Sequence, residues 1–219
     1  VVDAHHVPNS GGAILASNHQ SFFDPPLIGS MIPWRQFAFM AQEYLFKVPL
    51  LATLIRALNS VPVSGSGSDG ATIKRLIKTL QEGRPVVVFP EGSRTADGAM
   101  HTFKRGVVLL MRRAKCPVVP AAVEGVFDAW PRHRKLPRFV RQRMVVVYGE
   151  PIAPEALRDE QALELLAQRI DELRLRARAI LREQTSGRLP ANTIGDGPTE
   201  RLVEEPVRPE RPSHENTPN

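Results

Sequence analysis

In the stretch Ile73 to Gly92, IKRLIKTLQEGRPVVVFPEG, two periodicities meet. Ile73, Leu76, Ile77 and Leu80 recur at helical spacing, and Gly83 stands where a C′ residue ends a helix after Gln81-Glu82. Val86 to Phe89 is then wholly apolar, the pattern of a strand covered on both faces rather than on one. A helix turning directly into such a strand belongs to an α/β layer architecture. The expected fold is a central mixed, mostly parallel sheet flanked by helices.

Working outward, Ala13 to Ser17 reads as a short buried strand arriving at Asn18-His19, and Asp24-Pro25-Pro26 as a helix entry. Residues 34 to 58 are largely apolar; Pro49 to Ile55 suits a buried or interfacial helix and is too short to cross a bilayer. Val61-Pro62-Val63 is a strand candidate, and Ser64 to Gly70 a loop. Lys104 to Arg113 reads as a helix weakened at Gly106 by about 1 kcal/mol relative to alanine. Val118 to Val123 and Met144 to Tyr148 are further strands. A last helix, roughly Asp159 to Glu183, aligns Leu163, Leu166, Ile170, Leu173, Ala177 and Ile180 on one stripe and leaves its other faces charged. Beyond Thr185 the chain is rich in Pro, Gly, Glu and Arg. The expected division is one domain over 1–184 and a disordered tail over 185–219.

The 219 residues, 42% of them apolar, suffice for one domain with a proper core. The single cysteine, Cys116, excludes an intrachain disulfide, has no evident base partner and reads as a packed residue; no Cys/His spacing suggests a structural zinc site, and no metal is expected. The net charge of +6 is uneven: residues 101 to 143 hold 11 Lys/Arg against Glu124 and Asp128. Nucleic acid, an anionic membrane or a phosphorylated small molecule would each answer that field. Nucleic acid is not the expected partner, because zinc-finger spacing, a helix-turn-helix and an aromatic stacking series are all missing from the sequence. The chain starts at Val1 rather than Met, which leaves open an anchor upstream of residue 1.

Asn18-His19-Gln20-Ser21-Phe22-Phe23-Asp24 holds the first candidate chemistry. Five positions on a helix rotate a side chain by about 500°, which sends His19 and Asp24 to different faces, so their cooperation requires a turn. In a turn the carboxylate can accept a proton from one imidazole nitrogen and leave the other as a base for a hydroxyl. The bland alternative is that Asp24 caps the following helix and His19 makes a local hydrogen bond. Phe89-Pro90-Glu91-Gly92-Ser93-Arg94-Thr95 comes directly after the apolar strand, and the carboxyl ends of such strands are where open α/β sheets bind ligands. Arg94 offers a planar fork to phosphate oxygens. Glu91 could orient it or accept a hydrogen bond from a polyol. An internal Glu91-Arg94 pair is the alternative, and Lys104 and Arg105 read equally as anion ligands or as a solvated helix face.

These blocks resemble those of the glycerolipid acyltransferases. Asn18 to Asp24 is similar to the family's first block, Phe89 to Thr95 to its third, Phe103-Lys104-Arg105-Gly106 to the continuation of the third, and Val118-Val119-Pro120-Ala121 to the fourth. The likeness runs from about residue 8 to about residue 150, and the blocks fall in the family's order. The second block departs: Asn59 to Ser64 keeps Val-Pro-Val, but Ser64-Gly65 stands where a basic residue is expected.

The resemblance implies a glycerol-phosphate acyltransferase-like fold. It implies His19 as the base on the acceptor hydroxyl and Asp24 as its support. Glu91, Gly92, Ser93, Arg94, Lys104 and Arg105 would bind the acceptor and its phosphate, and Asn18 and Pro90 would shape the turns. The implied partners are a lysophospholipid, most directly 1-acyl-sn-glycerol 3-phosphate, an acyl-CoA or acyl-carrier protein as co-substrate with no bound cofactor, and an anionic membrane surface met peripherally from the cytoplasmic face. A phospholipid-binding protein of the same fold without turnover, or an acyltransferase for a different lysophospholipid or other hydroxyl acceptor, is the alternative that the second-block departure leaves open.

Overall fold

The computed structural model describes residues 1–47, 49–57, 60–63, 70–138, 140–158 and 161–205. In chain order the elements are β1 (Ile14–Ser17), α1 (Asp24–Ser30), β2 (Ala38–Gln42), α2 (Pro49–Ala57), β3 (Ser60–Val63), α3 (Gly70–Gln81), β4 (Val86–Val88), α4 (Gly106–Ala114), β5 (Val118–Glu124), α5 (Val126–Ala129), β6 (Val145–Tyr148) and α6 (Ala162–Gln184). The six strands form one sheet in the order β3-β2-β4-β1-β5-β6; every neighbouring pair is parallel except β5 with β6. This is the expected mixed, mostly parallel architecture.

Alternation along the strands explains how both faces are covered. Ile14, Ala16, Val86, Val88 and Val118 point to a layer containing Ile73, Leu76 and Leu80 of α3, Leu110 and Met111 of α4, and Leu163, Leu166 and Ile170 of α6. Leu15, Val87, Val119, Ala121 and Val123 face the opposite layer with Ile28, Ile32 and Phe37. Gly83 ends α3 with φ of 80°, a left-handed conformation that costs glycine little. Cys116 is buried in the first layer, and burial pushes its thiol up to about 11, in keeping with a packed, unreactive side chain.

Two differences from the sequence reading matter. The run 34 to 58 contains β2, a strand too short and too uniformly apolar to show a period of 2. The segment beyond α6, expected to be disordered, is packed as far as residue 205. Leu189 is buried, and Phe103 donates its N–H to the Leu202 carbonyl at 2.9 Å while Glu204 donates back to Phe103 at 3.1 Å. Residues 206–219 of that expected tail, and most of the expected 64 to 70 loop including Ser64 and Gly65, lie outside the described residues.

Candidate active site

The site forms where two neighbouring strands end together. Register pairs Ala16 of β1 with Val88 of β4, so the turn after β1 and the loop after β4 emerge side by side at the carboxyl edge of the sheet. Asn18, fully buried, extends β1: its side chain donates to the Val123 carbonyl at 3.0 Å and accepts from the Val123 N–H at 2.9 Å. The chain then turns, and α1 starts at Asp24.

Within that turn His19 Nδ1 lies 2.7 Å from Asp24 Oδ2. A carboxylate only accepts, so Nδ1 carries the proton and Nε2 is left with a lone pair. The same Oδ2 accepts the N–H groups of Gln20 and Ser21 at 2.6 and 2.8 Å, and Asp24 is fully buried. Asp24 therefore organises the turn through its own neighbours and does not cap α1 with its side chain. The His19 ring stacks on Phe89, with centroids 3.9 Å apart and planes 15° apart, and its side chain remains 16% exposed. A neutral imidazole locked on one edge, stacked on one face and accessible at its side chain can act as a general base.

Glu91 lies behind this arrangement. Its Oε1 accepts the His19 N–H at 2.7 Å and its Oε2 the His101 N–H at 3.0 Å, and only 4% of the residue is exposed. Burial raises its carboxyl to about 8, against the downward pull of those two N–H groups. Glu91 thus couples the histidine turn to the loop after β4, and the Glu91-Arg94 pair weighed from the sequence does not form. Thr95 N–H donating to the His19 carbonyl at 2.8 Å closes the same junction.

Arg94 is half-buried, with its guanidinium 3.5 Å from the centroid of the Phe22 ring. Burial, followed by the like charge of Arg132, lowers its ordinary value, and among the described residues no carboxylate pairs with either arginine. Two neighbouring cations without a carboxylate partner can together receive an anion. Gly92 has φ of 74°, and a Cβ there would sit 3.0 Å from Lys104 Cδ, so the lysine stem lies across the Gly92-Ser93 turn. Pro90 is buried and its carbonyl accepts the Lys104 N–H at 2.9 Å, whereas Ser93 is exposed. Arg105 points elsewhere: its Nε donates to the Glu204 carbonyl at 3.2 Å.

The family model for acyltransferases matches residues 1–124. The chain belongs to the acyltransferase family. This acyltransferase is 31% identical over 180 residues to the 1-acyl-sn-glycerol-3-phosphate acyltransferase of Bacillus subtilis, covering 79% of this chain and 86% of that protein. It is also 31% identical over 172 residues to the bovine 1-acyl-sn-glycerol-3-phosphate acyltransferase alpha, 76% of this chain but only 58% of the longer relative. Among solved structures it matches the 1-acyl-sn-glycerophosphate (LPA) acyltransferase PlsC of Thermotoga maritima, with a TM-score of 0.65, 26% identity, and coverage of 85% of this chain and 72% of that one. The acyltransferase is an enzyme, and its chemistry is transfer of an acyl group to a hydroxyl.

Sequence reasoning missed what backs the site. Gln20 is buried and its Nε2 donates to the Gly98 carbonyl at 3.0 Å and to Glu124 Oε1 at 3.3 Å. Glu124 in turn is paired with Arg178 of α6 at 3.2 Å, and burial, offset in part by Arg178, raises its carboxyl to about 7. Arg178 also holds Asp196 at 2.7 Å and the Asn192 carbonyl at 2.6 Å, while the Asn192 side chain reaches the Asp97 carbonyl at 3.2 Å. The only local sign of this network was a pair of arginines, Arg174 and Arg178, one turn apart on a face that reads as solvated. Among the described residues no three His, Cys, Asp or Glu side chains converge as metal ligands. A depression of about 520 Å³ lies against β6 and α6, lined by His6, Tyr148, Glu150 and Arg176 among others, and includes none of these site residues.

Proposed function

We propose that this acyltransferase moves a fatty acyl group from acyl-CoA or acyl-carrier protein to the free hydroxyl of 1-acyl-sn-glycerol 3-phosphate, giving phosphatidate. His19 Nε2 takes the hydroxyl proton as the oxygen attacks the thioester carbonyl, and Asp24 holds the ring and supports the imidazolium. The tetrahedral intermediate collapses with loss of the thiolate, which recovers the proton from His19 and leaves as free thiol. An ester replaces a thioester, and no acyl group rests on the protein. Arg94, with Lys104 over the Gly92-Ser93 turn, receives the acceptor phosphate, and Arg132 adds charge to the same mouth. Glu91 acts as a positioning residue.

The acyltransferase unit takes in residues 1–184, and the packed segment to residue 205 supports it. The enzyme works peripherally at the cytoplasmic face of an anionic membrane, where a lysophospholipid resides. No described helix is long and apolar enough to cross that membrane. The observation that carries the reading is the 2.7 Å contact of His19 Nδ1 with buried Asp24, set beside an arginine that lacks a carboxylate partner among the described residues. Thiol release from a long-chain acyl-CoA, measured with and without 1-acyl-sn-glycerol 3-phosphate, is the test: release should need the acceptor and should vanish in Arg94→Ala at low acceptor. Phospholipid binding with no thiol released from any donor and acceptor pair would replace the enzyme reading with that of a lipid-binding protein.

A further inference from the structure

The connection from Trp130 to Arg143 carries Arg132, Arg134, Lys135, Arg138, Arg141 and Arg143 and no carboxylate. None of these cations forms an ion pair among the described residues. The same connection holds Leu136 and Val140, exposed to 75% and 79%, the highest values of any large apolar side chain described. Isolated exposed apolar residues need no explanation. Two of them interleaved with unpaired cations form the pattern of a segment that lies in a lipid headgroup layer.

The base of the connection is built into the wall of the active site. Ser21 Oγ donates to the Trp130 carbonyl at 2.9 Å, and the Trp130 ring packs against Phe22 and Phe23 at 5.3 and 5.0 Å between centroids. Arg138 N–H returns to the Ala129 carbonyl at 2.8 Å, and Trp130 Nε1 donates to the Arg134 carbonyl at 3.0 Å, so the stretch from Ala129 to Arg138, which carries Leu136, is closed and braced. Phe22, itself 40% exposed, carries the Arg94 guanidinium on its ring.

We propose that this loop docks on an anionic lipid bilayer. Leu136 and Val140 enter the headgroup region, the surrounding cations meet lipid phosphates, and the mouth beside His19 opens toward acceptors held in the bilayer. The purpose of this docking rests on the acyl-transfer reading; the surface itself does not. An acidic protein would engage the cations alone, and the two apolar tips favour lipid.

The test sediments the full chain with vesicles of phosphatidylcholine containing phosphatidylglycerol and with vesicles of phosphatidylcholine alone. Binding should require the anionic lipid and weaken with salt. Leu136→Asp with Val140→Asp, and separately Lys135→Glu with Arg138→Glu, should each lower vesicle affinity by roughly tenfold or more. Turnover of vesicle-borne acceptor should fall in parallel, and turnover of a short-chain acceptor that stays monomeric in water should match wild type, which also shows that the variants fold. Wild-type affinity in both variants, or equal binding of wild type to neutral and anionic vesicles, overturns the proposal. Loss of turnover confined to a carrier-protein donor, with vesicle binding intact, overturns it in favour of a protein partner. If no acceptor is turned over by any form, the acyl-transfer reading fails while sedimentation still decides the docking surface.

Discussion

The turn from His19 to Asp24 and the segment from Leu189 to Thr199 are both irregular, both polar and both fixed by side-chain hydrogen bonds. They differ in how far away their partners lie. Asp24 meets His19, Gln20 and Ser21, all within five positions, so the residue types and their spacing carry the geometry. The C-terminal segment is held by Arg174 and Arg178, 14 to 23 positions distant, and much of what those arginines grip is main-chain carbonyl: Asn192, Gly195 and Gly197. Asp171 adds Thr199 at 2.8 and 2.9 Å. Carbonyls have no residue identity, so this half of the contact leaves no mark in the sequence. The criterion that marks the tail as disordered counts apolar residues, and a segment ordered by buried guanidinium groups escapes it.

If the first region is chemical and the second architectural, substitutions should separate rate from stability. His19→Ala removes the base and should lower thiol release by roughly 10²- to 10⁴-fold while the unfolding midpoint stays near wild type. Normal turnover in that variant would end the assignment. Asp24→Asn should cost both quantities, because three donors converge on one oxygen of a fully buried side chain.

Arg178→Met should reverse the pattern. Arg178 is 4% exposed at its side chain, and its loss strands Glu124, which is 1% exposed, together with the Asn192 carbonyl. Breaking a buried pair from one side costs about 3–5 kcal/mol. The denaturant midpoint should drop accordingly, and turnover should decline only as Gln20 loosens behind the histidine turn. A midpoint unchanged by Arg178→Met would mean that the segment beyond α6 contributes nothing to the fold.

The same distinction governs what was legible. Val86 to Phe89 disclosed a two-sided strand because it lacks alternation, and α3 and α6 disclosed their apolar stripes because the 3.6-residue period is local. The His19-Asp24 turn was legible because the helical alternative separates the two side chains. β2 was hidden by brevity. Glu91 was assigned to the acceptor on its neighbours in sequence, yet its partners are the N–H groups of His19 and His101, main-chain donors that no motif displays. Arg105 was grouped with Lys104 by adjacency, but it marks the start of α4 and reaches Glu204 instead.

Buried carboxyls sharpen the comparison through pH. Burial raises Glu91 to about 8 and Glu124 to about 7, so the folded protein keeps protons that the unfolded chain has already released. Stability from these groups is fully present below the ordinary carboxyl range and is lost as pH rises through about 7 and 8. Asp3 and Asp97 act oppositely, since hydrogen bonds hold them below their usual value and their contribution is lost only as pH falls through the acid range. The denaturation midpoint should therefore be higher near pH 5.5 than near pH 8.5, by on the order of 5 kcal/mol in unfolding free energy. A higher midpoint at the alkaline end would contradict the placement of these two carboxyls.

The smallest effect isolates burial itself. Arg178 and Arg182 both reach Asp196 Oδ1 at 2.7 Å, so distance and partner are the same for the two. Their side chains are 4% and 38% exposed. Water screens the outer pair and solvates Asp196 when Arg182 is removed, whereas removing Arg178 takes from buried Glu124 its ion-pair partner and leaves it the Gln20 amide. Arg182→Ala should change the unfolding free energy by about 0–1 kcal/mol, with most of that gone at high salt. If the two variants proved equally costly, the ion pair rather than its burial would be what fastens the C-terminal segment, and the contrast between a locally encoded turn and a remotely encoded strap would rest on charge alone.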